Sequence, residues 1–319
     1  MSRVVAPPPV VSVIIPTYQR AHLVGQAIAS VLDQSYQDFE IIVVVDGSTD
    51  DTLAHLARLA QSQRGEKITI ISQANAGLAA ARNAGIGAAQ GRFLTFLDDD
   101  DLWLPDKLAA QVAVFAAQPE VGLVFGDMLC FDERGEHAGT YAQTTIPPRI
   151  LNEITLFWYN YVPLSTVIIR RACLDEVGFF DETLTACEDM DLWLRISAKW
   201  RLWRLADPVA RYRLSASAMH NDFGRVITNS LRVKANAYER SPAIRRLPMK
   251  LLDRYFYDLY LDLARYHMKR LQWSQARNVL AGYQETRGAT PAAVALLAEI
   301  DTTCQGNTHD DAAAPGRTG

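Results

Sequence analysis

The sequence has few cysteines and no long hydrophobic run. Its four cysteines, Cys130, Cys173, Cys187 and Cys304, lack C-x-x-C spacing, so they indicate neither a zinc site nor a dense disulfide framework. A reducing compartment is the simplest setting for such a chain. Nowhere do about 18 apolar residues follow one another, so no transmembrane helix is predicted. The first ten residues hold one arginine and a proline triplet but no apolar signal-peptide core.

A strong excess of charge of one sign is also missing. The chain of 319 residues has 32 basic and 36 acidic residues and a formal net charge of −4. This balance gives no electrostatic footprint for nucleic acid. A mildly acidic chain can still bind an anionic nucleotide through a cation or local basic groups. The length allows one main domain and an accessory element.

Buried strands and helices alternate over the first hundred residues. The β-branched runs 10–15, 39–45, 67–72 and 92–97 are typical of buried strands, and amphipathic helical segments separate them. This alternation predicts right-handed crossovers and a mostly parallel sheet. Polar clusters follow three of the strands, at 17–18, 46–48 and 98–101. Because ligands bind beyond the carboxyl ends of such strands, we expect these clusters to converge.

Four consecutive aspartates, Asp98 to Asp101, form the most unusual of these clusters. Adjacent carboxylates repel one another unless a positive charge lies among them. Hard oxygen ligands suit Mg²⁺ or Mn²⁺, which bind through one or two carboxylates and substrate phosphates. The alternative is a solvated acidic turn that caps the helix after Pro105. We favour the metal site because the cluster follows a buried strand.

Four motifs carry a resemblance to a known family. They are VSVIIPTYQR (11–20), IIVVVDGSTDDT (41–52), ANAGLAAARNAGIGAAQGRFLTFLDDDDLW (74–103) and CEDMDLWLRI (187–196). Their content and order resemble glycosyltransferase family 2, whose members are inverting enzymes that use nucleotide-sugars. The resemblance implies a GT-A fold, which is a Rossmann-like α/β mixed sheet flanked by helices, here with a C-terminal α-helical appendage.

The resemblance also implies a donor nucleotide site. Its residues would be Pro16, Thr17, Tyr18, Asp46, Gly47, Ser48, Arg82, Asn83, Asp98 and Asp99. Tyr18 would pack on the base and Asp46 would hydrogen-bond it, although Val45 stands where the family usually has another aspartate. Arg82 would contact the diphosphate, since a guanidinium suits phosphate oxygens. A core role for Tyr18 and a solvent-facing position for Arg82 are the alternatives.

The same resemblance assigns the metal ligands and the base. Asp100, with Asp98, would bind Mn²⁺ or Mg²⁺. Asp189 would be the general base, supported by Glu188, because inversion needs one carboxylate to take the proton of the acceptor hydroxyl. Asp191 should face away from Asp189, since residues i and i+2 of a helix do not share a face. The alternative is an acidic helix start favoured by the helix dipole.

The pattern divides the chain into four parts. We predict an N-terminal extension (1–9), a GT-A domain (10–221), a helical C-terminal region (222–304) and a disordered tail (305–319). The helical region resembles a tetratricopeptide-type hairpin, which leaves a partner-docking role open. Basic residues among its aromatics would also suit an anionic membrane surface. Acidic residues interrupt that face, so a solvated helix is the favoured interpretation.

The predicted function is sugar transfer from a nucleotide-diphosphate sugar, with a UDP-sugar favoured, to a hydroxyl acceptor. The acceptor would belong to a polysaccharide, lipopolysaccharide or other glycoconjugate, and a lipid-linked glycan is one candidate. The expected location is cytoplasmic, with peripheral contact at the inner face of the cytoplasmic membrane as an option. A sugar nucleotidyltransferase is disfavoured because no glycine follows the first strand before Gly25. A non-catalytic binding or scaffold protein of the same fold is the second alternative.

Overall fold

The computed structural model describes residues 7–62, 64–140, 150–214, 222–287, 294, 296–298 and 300–302. The chain forms two compact units, Met1–Ala218 and Met219–Gly319. Residues 1–6 of the expected N-terminal extension and the whole expected tail 305–319 lie outside the described residues. The predicted domain limits therefore stay predictions.

The first unit contains all ten strands of the described residues. They are β1 (Val11–Thr17), β2 (Phe39–Asp46), β3 (Ile68–Gln73), β4 (Phe93–Phe96), β5 (Leu102–Trp103), β6 (Val121–Asp132), β7 (Gly135–Thr140), β8 (Ile150–Leu151), β9 (Ile168–Arg170) and β10 (Arg201–Arg213). The helices of this unit are α1 (Val24–Leu32), α2 (Thr52–Ala60), α3 (Leu78–Ala88), α4 (Lys107–Ala117), α5 (Glu153–Trp158), α6 (Arg171–Val177) and α7 (Glu188–Ser197).

The strands form one mixed sheet in the order β3-β2-β1-β4-β9-β6-β10-β5, with β7 beside β6 and β8 beside β10. The first four in this order run parallel, and Val13 lies opposite both Ile41 and Thr95. Every residue of β1 is buried, as expected for a strand covered on both faces. Each fully buried aliphatic side chain contributes about 1.5–3 kcal/mol to folding. The central parallel strands therefore hold a large share of the core.

The β-branched run 165–169 predicts a strand, but the segment begins differently. Leu164–Thr166 forms a 3-10 turn, and β9 starts only at Ile168. The Thr166 hydroxyl and backbone N–H both donate to the Pro163 carbonyl, at 2.7 and 3.1 Å. Such local hydrogen bonds compete with strand pairing. The turn leaves the Ser165 hydroxyl facing the end of β4.

The polar composition of the stretch 132–148 predicts a loop, but the stretch contains the antiparallel strand β7. It joins β6 through a tight turn at Glu133 and Arg134, and the backbone N–H of Arg134 donates to the Asp132 carboxylate at 2.7 Å. Residues 141–149 lie outside the described residues. Part of the predicted loop is thus a β-hairpin.

The second unit is helical, as the sequence predicts. Its helices are α8 (Phe223–Arg240), α9 (Pro242–Arg245), α10 (Met249–Lys269) and α11 (Trp273–Arg287), and residues 294, 296–298 and 300–302 are also helical where described. The helices α10 and α11 pack around Tyr257, Leu261, Leu280 and Tyr283. In the described part of the chain, none of the helices is both long and apolar enough to cross a bilayer.

Candidate active site

The aspartates that follow β4, Asp98–Asp101, form what we call the acid turn. Each of its four carboxylates has a different partner. The Thr17 hydroxyl donates to Asp99 at 2.6 Å, and the Arg20 guanidinium donates to Asp100 at 2.7 Å. Burial raises the pKa of Asp99 to about 7. The expected convergence of the ends of β1 and β4 is therefore present.

The Ser165 hydroxyl holds the two ends of the acid turn together. It donates to the Asp101 carboxylate at 2.6 Å and accepts the backbone N–H of Asp98 at 3.2 Å. Asp101 also accepts the backbone N–H of Arg213 at 3.2 Å, and the Arg213 Nε donates to the Asp100 carbonyl at 2.9 Å. Asp101 and Ser165 are both buried. These bonds fix the backbone of the turn while the Asp98 and Asp100 carboxylates remain partly exposed.

A buried arginine joins the acid turn to α7. One terminal nitrogen of Arg82 donates to Asp98 at 2.9 Å, and the other donates to Glu188 at 2.5 Å. The arginine is only 2% exposed, so the alternative of a solvent-facing helix arginine is wrong. Both terminal nitrogens are engaged by carboxylates, which leaves the expected diphosphate contact of Arg82 a prediction. In the structure, Arg82 bridges Asp98 and Glu188, which come from distant parts of the chain.

The Glu188–Asp189 pair stands at the first turn of α7. The residue before it, Cys187, has a left-handed backbone with φ +60°, a conformation that is uncommon outside glycine. Asp189 accepts its neighbour's backbone N–H at 2.7 Å and the Asn160 side-chain amide at 3.0 Å. Burial, with the Glu188 charge, raises the pKa of Asp189 to about 6. A carboxylate tuned in this way suits a general base near neutral pH.

Asp191 takes no part in this pair. Its carboxylate is buried and accepts from the Arg195 Nε at 2.8 Å. Arg195 in turn donates to the carbonyls of Val177 and Phe179, each at 2.7 Å. Asp191 therefore faces away from Asp189, as the helical spacing predicts, and anchors α7 to the end of α6.

The end of β2 is built differently. Both carboxylate oxygens of Asp46 are engaged: one accepts from the Gln73 amide at 2.8 Å and the Ala76 N–H at 2.9 Å, and the other accepts the Gly77 N–H at 2.9 Å. Asp46 is 4% exposed. Gly47 has φ +74°, and a Cβ there would lie 2.5 Å from the Asn75 backbone nitrogen. Asp46 thus fixes the chain that leads into α3, and its expected contact with a nucleotide base stays a prediction.

The other residues of the expected donor site divide into exposed and engaged groups. Tyr18 is 49% exposed, so the alternative of a core tyrosine is wrong. Pro16 is buried within β1, and Ser48 accepts the Gln19 backbone N–H at 3.0 Å. The Asn83 side chain donates to the Phe180 carbonyl at 3.0 Å and accepts the Phe180 N–H at 3.0 Å. Asn83 therefore secures the segment before α7.

A cleft of ≈ 700 Å³ opens beside the acid turn. Its lining is almost entirely polar and charged, and consists of Gln19, Arg20, His22, Leu23, Asp100, Asp132, Glu133, Arg134, Arg213 and Leu214. Three arginines, from β10, the β6–β7 turn and the segment after β1, share it with the carboxylates of Asp100, Asp132 and Glu133. A cleft of this composition suits an anionic ligand that is bound together with a cation.

Sequence reasoning missed Arg20, Ser165 and Asn160 as site residues. Arg20 follows the end of β1, at the sheet edge where the other polar clusters were placed, and that position was the available signal. Ser165 was hidden within a predicted strand. Asn160 lies inside the aromatic cluster of Phe157, Trp158, Tyr159 and Tyr161, and such a cluster is more typical of core than of a site. In that cluster Phe157 is buried, whereas Tyr159 is 61% exposed.

The acid turn can supply some, but not all, of the ligands that a divalent cation needs. In residues 7–62, 64–140 and the later described ranges, no three His, Cys, Asp or Glu side chains form a ready metal cage. Mg²⁺ and Mn²⁺ need fewer protein ligands when substrate phosphates supply the others. Asp98 and Asp100 offer two partly exposed carboxylates on one rigid turn. This donor set matches a cation that is shared with a diphosphate.

These features define an α/β protein with an acidic site at the carboxyl ends of its parallel strands. The chain belongs to glycosyl transferase family 2: the model of that family matches residues 12–178, just over half of the chain. An uncharacterized glycosyltransferase of Nostoc is 46% identical over 199 residues, which are 60% of this chain and 56% of the relative. Two uncharacterized glycosyltransferases of Rickettsia are matched over 31% of their length. The chain thus spans about a third to just over half of these curated relatives.

Solved structures share the fold. The structure of S. aureus TarS 1-349 in complex with UDP-GlcNAc has a TM-score of 0.65 and 19% identity, over 90% of this chain and 83% of that one. The mannosyltransferase PcManGT from Pyrobaculum calidifontis, in complex with GDP-Man and Mn²⁺, has a TM-score of 0.60 and 21% identity, over 93% and 81%. The expected GT-A fold is confirmed.

Proposed function

We propose that this chain is an inverting glycosyltransferase that moves a sugar from a UDP-sugar to a hydroxyl acceptor of a polysaccharide, lipopolysaccharide or other glycoconjugate. The observation that carries the proposal is the Arg82 bridge. It holds the acid turn and the Glu188–Asp189 pair in one site, with Asp98 at 2.9 Å and Glu188 at 2.5 Å. The acid turn and the proposed general base Asp189 therefore keep fixed relative positions, which supports a donor and a base acting in one site.

In the proposed reaction, Asp189 takes the proton of the acceptor hydroxyl. The hydroxyl oxygen attacks the anomeric carbon from the face opposite the diphosphate, and the bond between that carbon and the diphosphate oxygen breaks. The donor leaves as UDP, and the configuration at the anomeric carbon inverts. Asn160 holds the Asp189 carboxylate at 3.0 Å, and Arg82 keeps Glu188 beside it.

Asp100 and Asp98 are the residues that would hold Mn²⁺ or Mg²⁺, which would supply positive charge to the diphosphate. Thr17 and Ser165 orient the acid turn for this purpose. Tyr18, half-exposed at the end of β1, is the proposed platform for the base. Base stacking on an aromatic side chain tolerates any nucleobase, so UDP is favoured by the family and the choice needs a direct measurement.

The acceptor side is proposed near the exposed aromatics that precede the 3-10 turn. The rings of Tyr159 and Tyr161 lie 5.6 Å apart, and Asn160 between them donates to Asp189. A sugar ring stacked there would have its hydroxyl close to the base.

The first test is a calorimetric panel of UDP, GDP, TDP and CMP, each with and without Mn²⁺. We expect UDP to bind only weakly without Mn²⁺ and markedly more tightly with it. Binding of GDP in preference to UDP would show that the donor nucleobase is guanine instead of uracil. Failure of every nucleotide to bind folded protein would favour a non-catalytic scaffold protein instead.

The second test replaces Asp189, the proposed general base. Asp189→Asn should lower the release of UDP from the preferred UDP-sugar by about 10²–10⁴-fold, because the proton has no acceptor, while UDP affinity stays within about twofold. Asp175→Asn, at an exposed position of α6, is the matched control and should behave as wild type. Near wild-type turnover of the Asp189 variant would remove it as the base.

A further inference from the structure

Arg20 competes for the carboxylate that is the proposed cation ligand. Its guanidinium lies 2.7 Å from the Asp100 carboxylate and 3.9 Å from that of Asp99. A cation bound by Asp100 would have to share or displace this arginine, since both positive charges need the same oxygen. The pair is accessible rather than sealed, because the two side chains are 29% and 22% exposed.

Arg20 also lines the charged cleft beside the acid turn. Displacement from Asp100 would therefore leave the guanidinium at the wall of this cleft, beside the lining arginines Arg134 and Arg213. Arg213 also lines the cleft. Its Nε already donates to the Asp100 carbonyl and one terminal nitrogen donates to the Gln26 side chain, each at 2.9 Å. Arg20 is the lining arginine that is bound to the metal-ligand carboxylate itself.

We propose that Arg20 exchanges partners during donor binding: it leaves Asp100 when the divalent cation binds there and donates instead to the donor diphosphate. A guanidinium serves both partners well, because its planar fork matches carboxylate and phosphate oxygens alike. The exchange rests on the proposed function, since it assumes a diphosphate donor and a cation at Asp100. It adds a specific consequence: cation and nucleotide help each other to bind through this one side chain.

The exchange predicts opposite effects on the two ligands. Without Arg20, Asp100 is free, so Mn²⁺ alone should bind more tightly. The diphosphate loses a donor, so UDP in saturating Mn²⁺ should bind more weakly. The factor by which Mn²⁺ improves UDP affinity is reciprocal by linkage. Arg20 is bound to Asp100 when no cation is present, so UDP alone should bind with unchanged affinity. The coupling factor should therefore fall as much as the affinity for UDP in saturating Mn²⁺ does.

The test is Arg20→Gln, which keeps length and polarity but removes the charge. Titration calorimetry should show Mn²⁺ alone binding about threefold more tightly, UDP with saturating Mn²⁺ about fivefold more weakly, and coupling reduced about fivefold, within the usual range of such couplings. Arg20→Lys keeps the charge but not the fork and should retain the wild-type Mn²⁺ affinity. Arg201→Gln is the matched control, because Arg201 forms an exposed pair with Glu120 at 2.6 Å.

Three outcomes would overturn the exchange. Equal weakening of Mn²⁺ and UDP would show a merely structural arginine, and unchanged affinities would show no role at all. Tighter Mn²⁺ binding with unaltered UDP binding would show competition without transfer to the phosphates. Thermal melts monitored by circular dichroism confirm that each variant is folded. A wild type without Mn²⁺–UDP coupling contradicts the proposed function and the exchange together, whereas wild-type coupling that persists in Arg20→Gln contradicts only the exchange.

Discussion

Two acidic strand ends lie on the same edge of the sheet, and they are held in different ways. Asp46, after β2, has its carboxylate bound to two backbone N–H groups and one side-chain amide. In the acid turn after β4, the side-chain partners of the Asp98 and Asp100 carboxylates among the described residues are the guanidinium groups of Arg82 and Arg20. Backbone donors cannot leave without unfolding the segment, whereas an arginine can change partners. Acidity at a strand end therefore identifies a ligand site only when its partners can exchange.

The largest expected effect is at the acid turn, where the arginine partners of the carboxylates can exchange. Asp100→Asn should reduce the Mn²⁺-dependent part of UDP affinity about 100-fold, because the neutral amide is a poor ligand for a hard divalent cation. Stability should hold within about 1 kcal/mol, as is usual for a partly exposed side chain. Calorimetry with and without Mn²⁺ measures the first, and urea denaturation the second. Unchanged Mn²⁺ dependence would assign the cation to other residues.

A medium effect is expected at Asp46, whose carboxylate is fixed by backbone N–H groups. Asp46→Ala leaves the buried N–H groups of Ala76 and Gly77 unpaired, which should lower the free energy of unfolding by about 2–4 kcal/mol. Coupling between Mn²⁺ and UDP should stay at the wild-type factor in protein that remains folded. Urea denaturation and calorimetry give the two values. A variant of wild-type stability that has lost UDP binding would restore Asp46 as the base contact that the family resemblance implies.

The smallest expected effect is a pH dependence of UDP release, which tests Asp189 at the start of α7. Burial raises the pKa of Asp189 to about 6, with Glu188 raising it further and Arg82 opposing. A base must be ionised, so UDP release should be constant above this value and fall about tenfold per pH unit below it. The pair titrates together, so the measured value belongs to both carboxylates. A profile of kcat/KM for the UDP-sugar that stays flat down to pH 5 would contradict this assignment.

The fold was predictable where the sequence repeats one strong signal. The β-branched runs of β1 and β2 gave their limits within two residues, since a strand buried on both faces needs a continuous apolar run. The 3-10 turn at Leu164–Thr166 was missed because its cause is local: Pro163 offers a carbonyl that captures the Thr166 hydroxyl. A pattern of hydrophobicity does not contain this competition.

The site was predictable as a set of positions but not as a set of partners. Strand-end logic brought Thr17 and the acid turn together, and the motifs added Glu188 and Asp189. The pairing of Arg20 with Asp100 joins residues 80 positions apart, and that of Arg82 with Glu188 spans 106. Helical periodicity made Arg82 equally compatible with solvent and with burial. Only the packing of α3 against the rest of the unit decides between them.

The 3-10 turn also sets a practical limit for chimeric enzymes. Asn160 contacts Asp189, and five positions later Ser165 grips both ends of the acid turn. A transplanted segment that replaces the proposed acceptor side can therefore extend to Val162 at most. A splice placed beyond Pro163 would also replace Ser165 and so loosen the turn that carries the proposed metal ligands.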